Sequence, residues 1–115
     1  MLCLKNAGVC SDKPNFFGGT GTPRLRELFQ KGDYRGQARI MGVFTLEPGS
    51  SVGEHTHQND EELVYILKGS CDYSDNGEPC TLQAGDAALT RGGESHALCN
   101  NGTEDLEYLV VVLTY

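Results

Sequence analysis

Three histidines and one glutamate carry the chemistry that this sequence offers. His55 and His57 lie two residues apart, and Glu62 follows at the head of the apolar run 63–67. On a β-strand, residues i and i+2 point to the same face, so this spacing puts both imidazoles on one side. We interpret residues 49–69 as two strands joined by the polar turn 58–61, a hairpin-like unit that brings the two imidazoles and the carboxylate together.

Two imidazoles and a carboxylate suit a first-row transition metal such as Fe, Mn, Zn, Cu or Ni. A metal site of this kind calls for one more histidine, and His96 is the only other one in the chain. An isolated His-x-His pair is more often a surface or core feature than a pair of ligands. Glu61, four residues after His57, is an alternative to Glu62 as the carboxylate ligand.

The spacing of these residues resembles that of the cupins. The first cupin motif is matched by Gly49, His55, His57, Glu62 and Gly69, and the second by Gly85, Gly93, His96 and Asn100. Glu62 is preferred to Glu61 because it alone keeps the six-residue distance to Gly69. Fifteen residues, 70–84, separate the motifs, as in the small single-domain bacterial cupins, and the flanking strands extend the resemblance to most of residues 38–114.

The resemblance implies a fold, a metal and a set of ligands. The fold is all-β, a double-stranded β-helix (jelly-roll) barrel. One divalent transition metal per chain would be held by three histidines and one glutamate, namely His55, His57, Glu62 and His96. A homodimer is implied, because small cupins commonly pair through their N-terminal strands. The sequence departs from the second motif at Arg91, where proline is usual, and we expect this to affect the turn more than His96.

Length and charge narrow the classes of function. A chain of 115 residues fits one domain, 1–115, with an N-terminal extension at 1–22 that contains the expected dimer contact and a barrel at 38–114. The net charge of -7 and the lack of a Lys/Arg cluster argue against a nucleic-acid partner and against anionic lipid. With no signal-peptide pattern and no apolar run of membrane-spanning length, we expect a cytoplasmic protein.

The remaining segments read as short strands and turns. Residues 37–46 alternate as a strand, and 106–114 are apolar almost throughout and predict a central strand. Residues 22–31 carry conflicting signals, a capped short helix or a strand, and we favour the strand. In the hairpin 70–83, with its turn at 76–77, Cys80 should face Tyr73 while Cys71 and Cys80 are small core residues rather than a disulfide.

The proposed site leaves no histidine free to act as a general base, so proton transfer would fall to a carboxylate, a tyrosine, a cysteine or metal-bound hydroxide. Tyr73 is either a core aromatic or a proton carrier, and Arg39 is either a surface residue or a contact for a substrate carboxylate. Two functions stay open. One is a mononuclear metal-dependent enzyme of the decarboxylase, dioxygenase or isomerase type acting on a small polar molecule. The other is a non-catalytic module that binds a sugar-like small molecule.

Overall fold

The structure, a computed structural model, describes residues 1–115 as ten β-strands and one short 3-10 helix at Phe16–Gly18. The strands in chain order are β1 (Val9–Asp12), β2 (Arg24–Phe29), β3 (Ala38–Leu46), β4 (Ser51–Thr56), β5 (Asp60–Lys68), β6 (Ser70–Asp75), β7 (Glu78–Gln83), β8 (Ala87–Thr90), β9 (Ser95–Cys99) and β10 (Leu106–Thr114). No helix in the structure has the length and apolar character needed to cross a membrane.

The strands form two antiparallel sheets that face each other. The larger sheet has the order β1-β2-β3-β10-β5-β8, and the smaller has the order β4-β9-β6-β7. This is the predicted jelly roll, because successive strands from β3 to β10 alternate between the two sheets, except in the β6–β7 hairpin. The predicted hairpin of β4 and β5 is therefore wrong: the two strands lie in different sheets, and their side chains meet across the interior instead of along a shared ladder.

The interior between the sheets is filled by the inward faces of alternating strands. β10 pairs with both β3 and β5, which confirms the central position predicted from its apolar sequence. Its alternate residues are almost fully buried, because a central strand is covered by neighbours on both edges and by the opposite sheet on one face. The core consists of Leu25, Phe44, Leu46, Val52, Val64, Ile66, Cys71, Tyr73, Leu98, Leu106, Tyr108, Val110 and Val112.

The β6–β7 hairpin has the predicted register but not all of the predicted packing. Tyr73 faces Cys80, Cys71 faces Leu82, and Cys71 is fully buried as expected. Cys80, however, is exposed, so its assignment to the core is wrong. The reason is that β7 lies at the edge of the smaller sheet, where the opposite sheet does not cover it. All five cysteines have free thiols.

The N-terminal third extends the larger sheet. Residues 24–29 form strand β2, which confirms the strand interpretation of this segment, and β2 pairs with β1 on one side and β3 on the other. Tertiary pairing to β3 prevails here over the local helix-capping signal. Between β1 and β2, the 3-10 helix contacts β4 in the other sheet. The chain thereby passes next to His55 on β4.

Candidate metal centre

The four side chains predicted as metal ligands converge on one point in the interior. Their donor atoms all lie within 4.8 Å of one another. The Nε2 atom of His96 is 3.0 Å from that of His55 and 3.2 Å from that of His57. The Glu62 carboxylate lies 3.5 Å from the Nε2 atoms of both His57 and His96. Metal bonds of about 2.0 to 2.2 Å separate neighbouring donors by about 2.9 to 3.5 Å, so the spacing suits one ion.

The two sheets contribute the donors from opposite sides. His55 on β4 and His96 on β9 are direct cross-strand partners in the smaller sheet. A register shift between Val52 and His55 leaves an extra residue in β4, and this bulge brings His55 opposite His96. Glu62 projects from β5 in the larger sheet. The packing of the two sheets therefore forms the site. The four side chains meet although β4 and β5 do not form a hairpin.

His57 lies just beyond the end of β4 and is held by a loop. Its backbone N–H donates to the Glu94 carbonyl at 3.0 Å, and its carbonyl accepts from the Gly93 N–H at 2.8 Å. The same loop contains Arg91, at the position where the motif has proline. The Arg91 N–H and guanidinium both donate to the Glu94 carboxylate, at 2.9 and 3.0 Å. Arg91 thus closes the turn by hydrogen bonds where proline would act through its fixed φ.

The outer nitrogen of each imidazole is already engaged. His55 Nδ1 donates to the Gly53 carbonyl at 2.8 Å, and His57 Nδ1 donates to the Asp60 carboxylate at 2.8 Å. His96 Nδ1 lies 2.7 Å from the Tyr73 hydroxyl, which is 3.3 Å from Thr90 Oγ1. If His96 Nδ1 donates a hydrogen bond to the Tyr73 hydroxyl and that hydroxyl donates one to Thr90 Oγ1, all three polar groups have a hydrogen-bond partner.

With protons on the outer nitrogens, the three Nε2 atoms present lone pairs to one another and to a carboxylate. Apart from the proton that the buried Glu62 carboxyl group holds when no metal is bound, these four groups contain no proton donor. Such an arrangement is repulsive unless a cation neutralises it, and three imidazoles with a carboxylate are the donors that transition metals accept. The engaged outer nitrogens also orient the rings, as the outer partners of metal-bound histidines do. The residues present therefore fit a single divalent transition metal.

Burial shapes the ionisation of the site when no metal neutralises it. Burial raises the pKa of Glu62 to about 8, with Asp60 adding to the rise and Arg39 opposing it. Burial, together with the neighbouring His55 and His57, lowers the pKa of His96 to about 3. The pKa of His55 is lowered as well, chiefly by burial. All three shifts favour uncharged side chains, and a bound cation would reverse the preference at Glu62.

Asp60 and Arg39 lie next to the site. The sequence predicted Asp60 only as part of a polar turn and left the role of Arg39 open. Asp60, buried at the start of β5, accepts from His57 and forms an ion pair with Arg39. Burial raises the pKa of Asp60, but the bonds from His57 and Arg39 outweigh it, so the net shift is downward. The structure places Arg39 at the cavity, beside a register shift in which β3 has one residue more than β10.

That register shift explains why Arg39 lines the cavity although its side chain remains half exposed. Simple alternation puts Arg39 on the face opposite Ala38 and Ile40, which would make it a surface residue. A bulge breaks the alternation and redirects a side chain. Glu61, the alternative carboxylate, is not among the converging side chains. Tyr73 is both buried and in contact with His96, so the two interpretations of Tyr73, core aromatic and polar partner, describe the same residue.

A cavity of about 270 Å³ opens beside the four converging side chains. Its walls are mainly apolar, and its charged lining residues besides the site itself are Lys13 and Arg39. Phe16 and Phe17 of the 3-10 helix also line it. A wider depression of about 710 Å³ lies on the smaller sheet and contains none of the four side chains. The smaller cavity is therefore where a ligand would meet the candidate metal.

Comparison with known proteins agrees with this geometry. The family described as "Cupin domain" matches residues 42–112. The oxalate-binding protein of Thermotoga maritima is 40% identical over 99 residues, which cover 86% of this chain and 82% of that protein. The tetracenomycin polyketide synthase protein TcmJ of Streptomyces glaucescens is 33% identical over 63 residues, 55% of this chain and 42% of that protein.

A solved structure from Thermotoga maritima, described as a predicted oxalate decarboxylase, superposes on this chain with a TM-score of 0.95. The two sequences are 36% identical, and the superposition covers 100% of each chain. The family match spans more than half of the chain and includes both histidine-bearing segments. With two facing antiparallel sheets and a buried cluster of three histidines and one glutamate, the chain belongs to the cupin family.

Proposed function

We propose that this protein binds one divalent transition metal through His55, His57, Glu62 and His96 and uses it to hold a small carboxylate in the adjoining cavity. The observation that supports the metal is the convergence of three imidazole nitrogens and one carboxyl group, whose donor atoms all lie within 4.8 Å of one another. The names of the two Thermotoga maritima relatives, an oxalate-binding protein and a predicted oxalate decarboxylase, support a carboxylate as the ligand.

The charge of the cavity supports an anionic ligand independently of those names. The chain as a whole carries a net charge of -7, yet the cavity is lined by Lys13 and Arg39 in addition to the metal site. Glu62, the one carboxylate that lines the cavity, would be neutralised by the metal. A small anion would therefore enter a region of positive potential surrounded by apolar walls, where charge interactions are strong.

We assign the protein to the decarboxylase, dioxygenase or isomerase type of metal-dependent enzyme. A bound divalent ion would supply Lewis acidity, drawing electron density from a carboxylate or carbonyl oxygen of the substrate. The chain's own residues orient the donors, exclude water with Phe44, Val52 and Leu98, and supply positive charge from Lys13 and Arg39.

A second candidate is binding without catalysis, and one observation favours it. Every imidazole that lines the cavity is already oriented toward the metal position, and Tyr73, whose pKa is raised by burial, has its hydroxyl engaged by His96 and Thr90. The cavity thus offers no unengaged imidazole as a general base. A protein that retains a small carboxylate without converting it would need no such group.

Calorimetric titration of oxalate into the metal-free and Mn²⁺-loaded protein tests the proposal. We expect binding only in the loaded protein. Lys13→Gln should weaken it by about threefold, as loss of one partly screened charge would, while Arg24→Gln, an exposed arginine away from the cavity, should not. Equal binding by the metal-free protein would contradict the proposed role of the metal.

The same samples separate the two functions. Incubation of the loaded protein with oxalate, with and without oxygen, followed by analysis for formate and carbon dioxide, should show consumption of oxalate if the site is catalytic on it. Recovery of all the oxalate, combined with metal-dependent binding, would favour the binding module.

A further inference from the structure

The ring of Phe17 lies flat against the ring of His55. The two ring centroids are 3.8 Å apart and the planes differ by 11°. Phe17 comes from the 3-10 helix in the N-terminal segment and is 52% exposed, whereas its neighbour Phe16 packs toward the core against Phe44. Nothing in the proposed function requires an exposed aromatic ring at this place.

The backbone of Phe17 adopts a conformation that bulky residues rarely take. Its φ is 52° and its ψ is 36°, in the left-handed region. Asn15, two residues before it, and Gly18, directly after it, also have positive φ, of 51° and 80°. A phenylalanine remains in this region only where the surrounding structure imposes it, and such residues concentrate at functional sites.

The strap, which we define as residues 15–21, is fixed to β4 by contacts that do not involve the Phe17 ring. The Thr20 N–H donates to Ser51 Oγ at 2.8 Å, and the Ser51 N–H donates to the Thr20 carbonyl at 2.9 Å. The Phe17 carbonyl packs so closely on Gly53 that a Cβ at residue 53 would collide with it. The glycine there is thus required for the approach of the strap.

Gly53 also accepts the hydrogen bond from His55 Nδ1, at 2.8 Å. Two constraints therefore meet on the His55 ring. The hydrogen bond fixes the direction in which Nε2 points, and the stacked ring of Phe17 limits rotation out of that plane. His55 is the most exposed of the three histidines, so it is the one that most needs such support.

We propose that Phe17 is a positioning residue of the metal centre: it holds the His55 imidazole in its donor orientation, covers the solvent side of that ring, and thereby slows release of the bound ion. This inference depends on the proposed metal binding. It assigns a role to the strap that differs from a dimer contact, because Phe16 and Phe17 pack on the chain's own cavity.

A purely structural role for the ring makes a different prediction. If Phe17 served only the fold, its removal should lower stability and leave metal exchange unchanged. The ring is half exposed and lies outside the buried core cluster, so little apolar burial is lost without it. Replacement by a residue that accepts positive φ also relieves the backbone, which offsets the loss.

The test compares Phe17→Gly and Phe17→Asn, which both tolerate positive φ, with the conservative Phe17→Tyr and with Tyr65→Ala, an exposed aromatic on β5 away from the cavity. Each protein is loaded with Co²⁺, and transfer of the ion to excess EDTA is followed by absorbance. We expect transfer about 10-fold faster in the Gly and Asn variants. This is the lower end of the loss in metal affinity when an outer partner of a metal-bound histidine is removed, taken here as faster release of the ion. Phe17→Tyr and Tyr65→Ala should resemble the wild type.

Thermal unfolding of the metal-free proteins completes the test. We expect Phe17→Gly to unfold within a few degrees of the wild type. Unchanged Co²⁺ transfer in Phe17→Gly, from a wild type that binds one equivalent, would overturn the role of Phe17 and leave the metal site intact. Failure of the wild type to bind Co²⁺ or any of Mn²⁺, Fe²⁺, Zn²⁺, Ni²⁺ and Cu²⁺ would overturn the proposed function and this inference together.

A spectroscopic measurement checks the contact itself. The chain has no tryptophan, so Phe17→Trp introduces a single tryptophan next to the site, which can be excited selectively over the five tyrosines. Co²⁺ should quench its emission with one-to-one stoichiometry, while a tryptophan at Tyr65 should be quenched far less. Equal quenching at the two positions would show that residue 17 does not lie on the metal centre.

Discussion

Asp60 links the metal centre to the rest of the molecule through a single carboxylate. It accepts from His57 Nδ1 at 2.8 Å and pairs with Arg39. Asp60→Asn keeps the shape but weakens both interactions, so His57 is held less firmly. We expect metal affinity to fall by about 10- to 100-fold, measured by competition with a chelator. Glu61→Gln is the matched control and should bind metal normally, whereas a comparable loss in both variants would show a general effect of charge.

Glu62 should make the stability of the metal-free protein depend on pH. Its pKa is about 8 in the folded chain and about 4.5 in the unfolded chain, so the unfolded state loses this proton first and stability declines as pH rises between those values. The pKa of His96 is about 3 in the folded chain and about 6.5 in the unfolded chain. His96 therefore makes the stability rise with pH, and this rise ends near pH 6.5. The effects of Glu62 and His96 on stability oppose each other up to about pH 6.5. Above that pH only the decline caused by Glu62 remains.

We therefore expect the unfolding temperature of the metal-free protein to fall between pH 6.5 and 8. Glu62→Gln should remove the decline, and saturating Zn²⁺ should reduce it, because the metal ionises Glu62 in the folded state. Thermal melts in chelator-treated buffers measure this. A decline of the same size in Glu62→Gln would assign the pH dependence to another group.

The residues that could be predicted from the sequence are those whose roles follow from spacing. The four side chains predicted as metal ligands converge on one point. Asp60 was assigned only to a polar turn, because its direction depends on the left-handed Asn59 before it, with φ of 59°. Arg39 is exposed, as alternation predicts, but alternation does not reveal the bulge that also places it at the cavity. Phe17 reaches His55 through a left-handed backbone that a phenylalanine gives no reason to expect.

At the scale of elements, the loop 91–94 replaces the motif proline with a hydrogen-bonded turn. Arg91→Pro fixes φ but removes the N–H that donates to Glu94. The loss of about 0.5 to 1.5 kcal/mol from this bond is partly offset by a gain of about 0.4 to 1 kcal/mol from the less flexible unfolded chain. We expect a small net change in unfolding free energy by urea titration, with metal content unchanged.

Arg91→Ala, which keeps the N–H, is the control for the loop. It should lose only the exposed guanidinium–carboxylate pair, which contributes little. If Arg91→Pro retains the metal but abolishes oxalate binding or turnover while Arg91→Ala does not, the loop shapes the ligand site as well as holding His57.

Edge strand β7 leads to a prediction about thiol reactivity. Cys80 is exposed on β7, whereas Cys71 on the neighbouring β6 is fully buried, and burial raises the pKa of Cys71 to about 11. Iodoacetamide at neutral pH should modify Cys80 and leave Cys71 intact in the folded protein, as measured by peptide mass spectrometry. Equal labelling of the two would mean that the hairpin opens readily.

The elements themselves could be predicted better than their partners. The strand at 24–29, the central strand at 106–114 and the register of β6 with β7 are confirmed. Their signals are local: apolar runs, alternation and a two-residue turn. The pairing of β4 was predicted wrongly, because a short polar connection fits both a hairpin and a crossing between sheets. Only packing of the two sheets decides between these, and that depends on the whole chain.

At the scale of the molecule, an acidic chain encloses a cavity with positive lining residues and a cluster of metal donors. The two sheets bring these side chains together, and the strap packs on β4 beside them. The single-domain organisation of 1–115 and the homodimer stay predictions, and sedimentation equilibrium of the metal-loaded protein tests the dimer. A mass equal to one chain across micromolar concentrations would contradict it.

The central claim is that four side chains bind one metal, and elemental analysis tests it most directly. Untagged protein is purified without a nickel column or chelator and equilibrated with Mn²⁺, Fe²⁺, Zn²⁺, Ni²⁺ or Cu²⁺ in turn, next to His57→Ala with its fold verified by circular dichroism. We expect near one equivalent of at least one of these ions per chain in the wild type and almost none in His57→Ala. A wild type that binds no ion, or a variant that retains full occupancy, would contradict the assignment of the site.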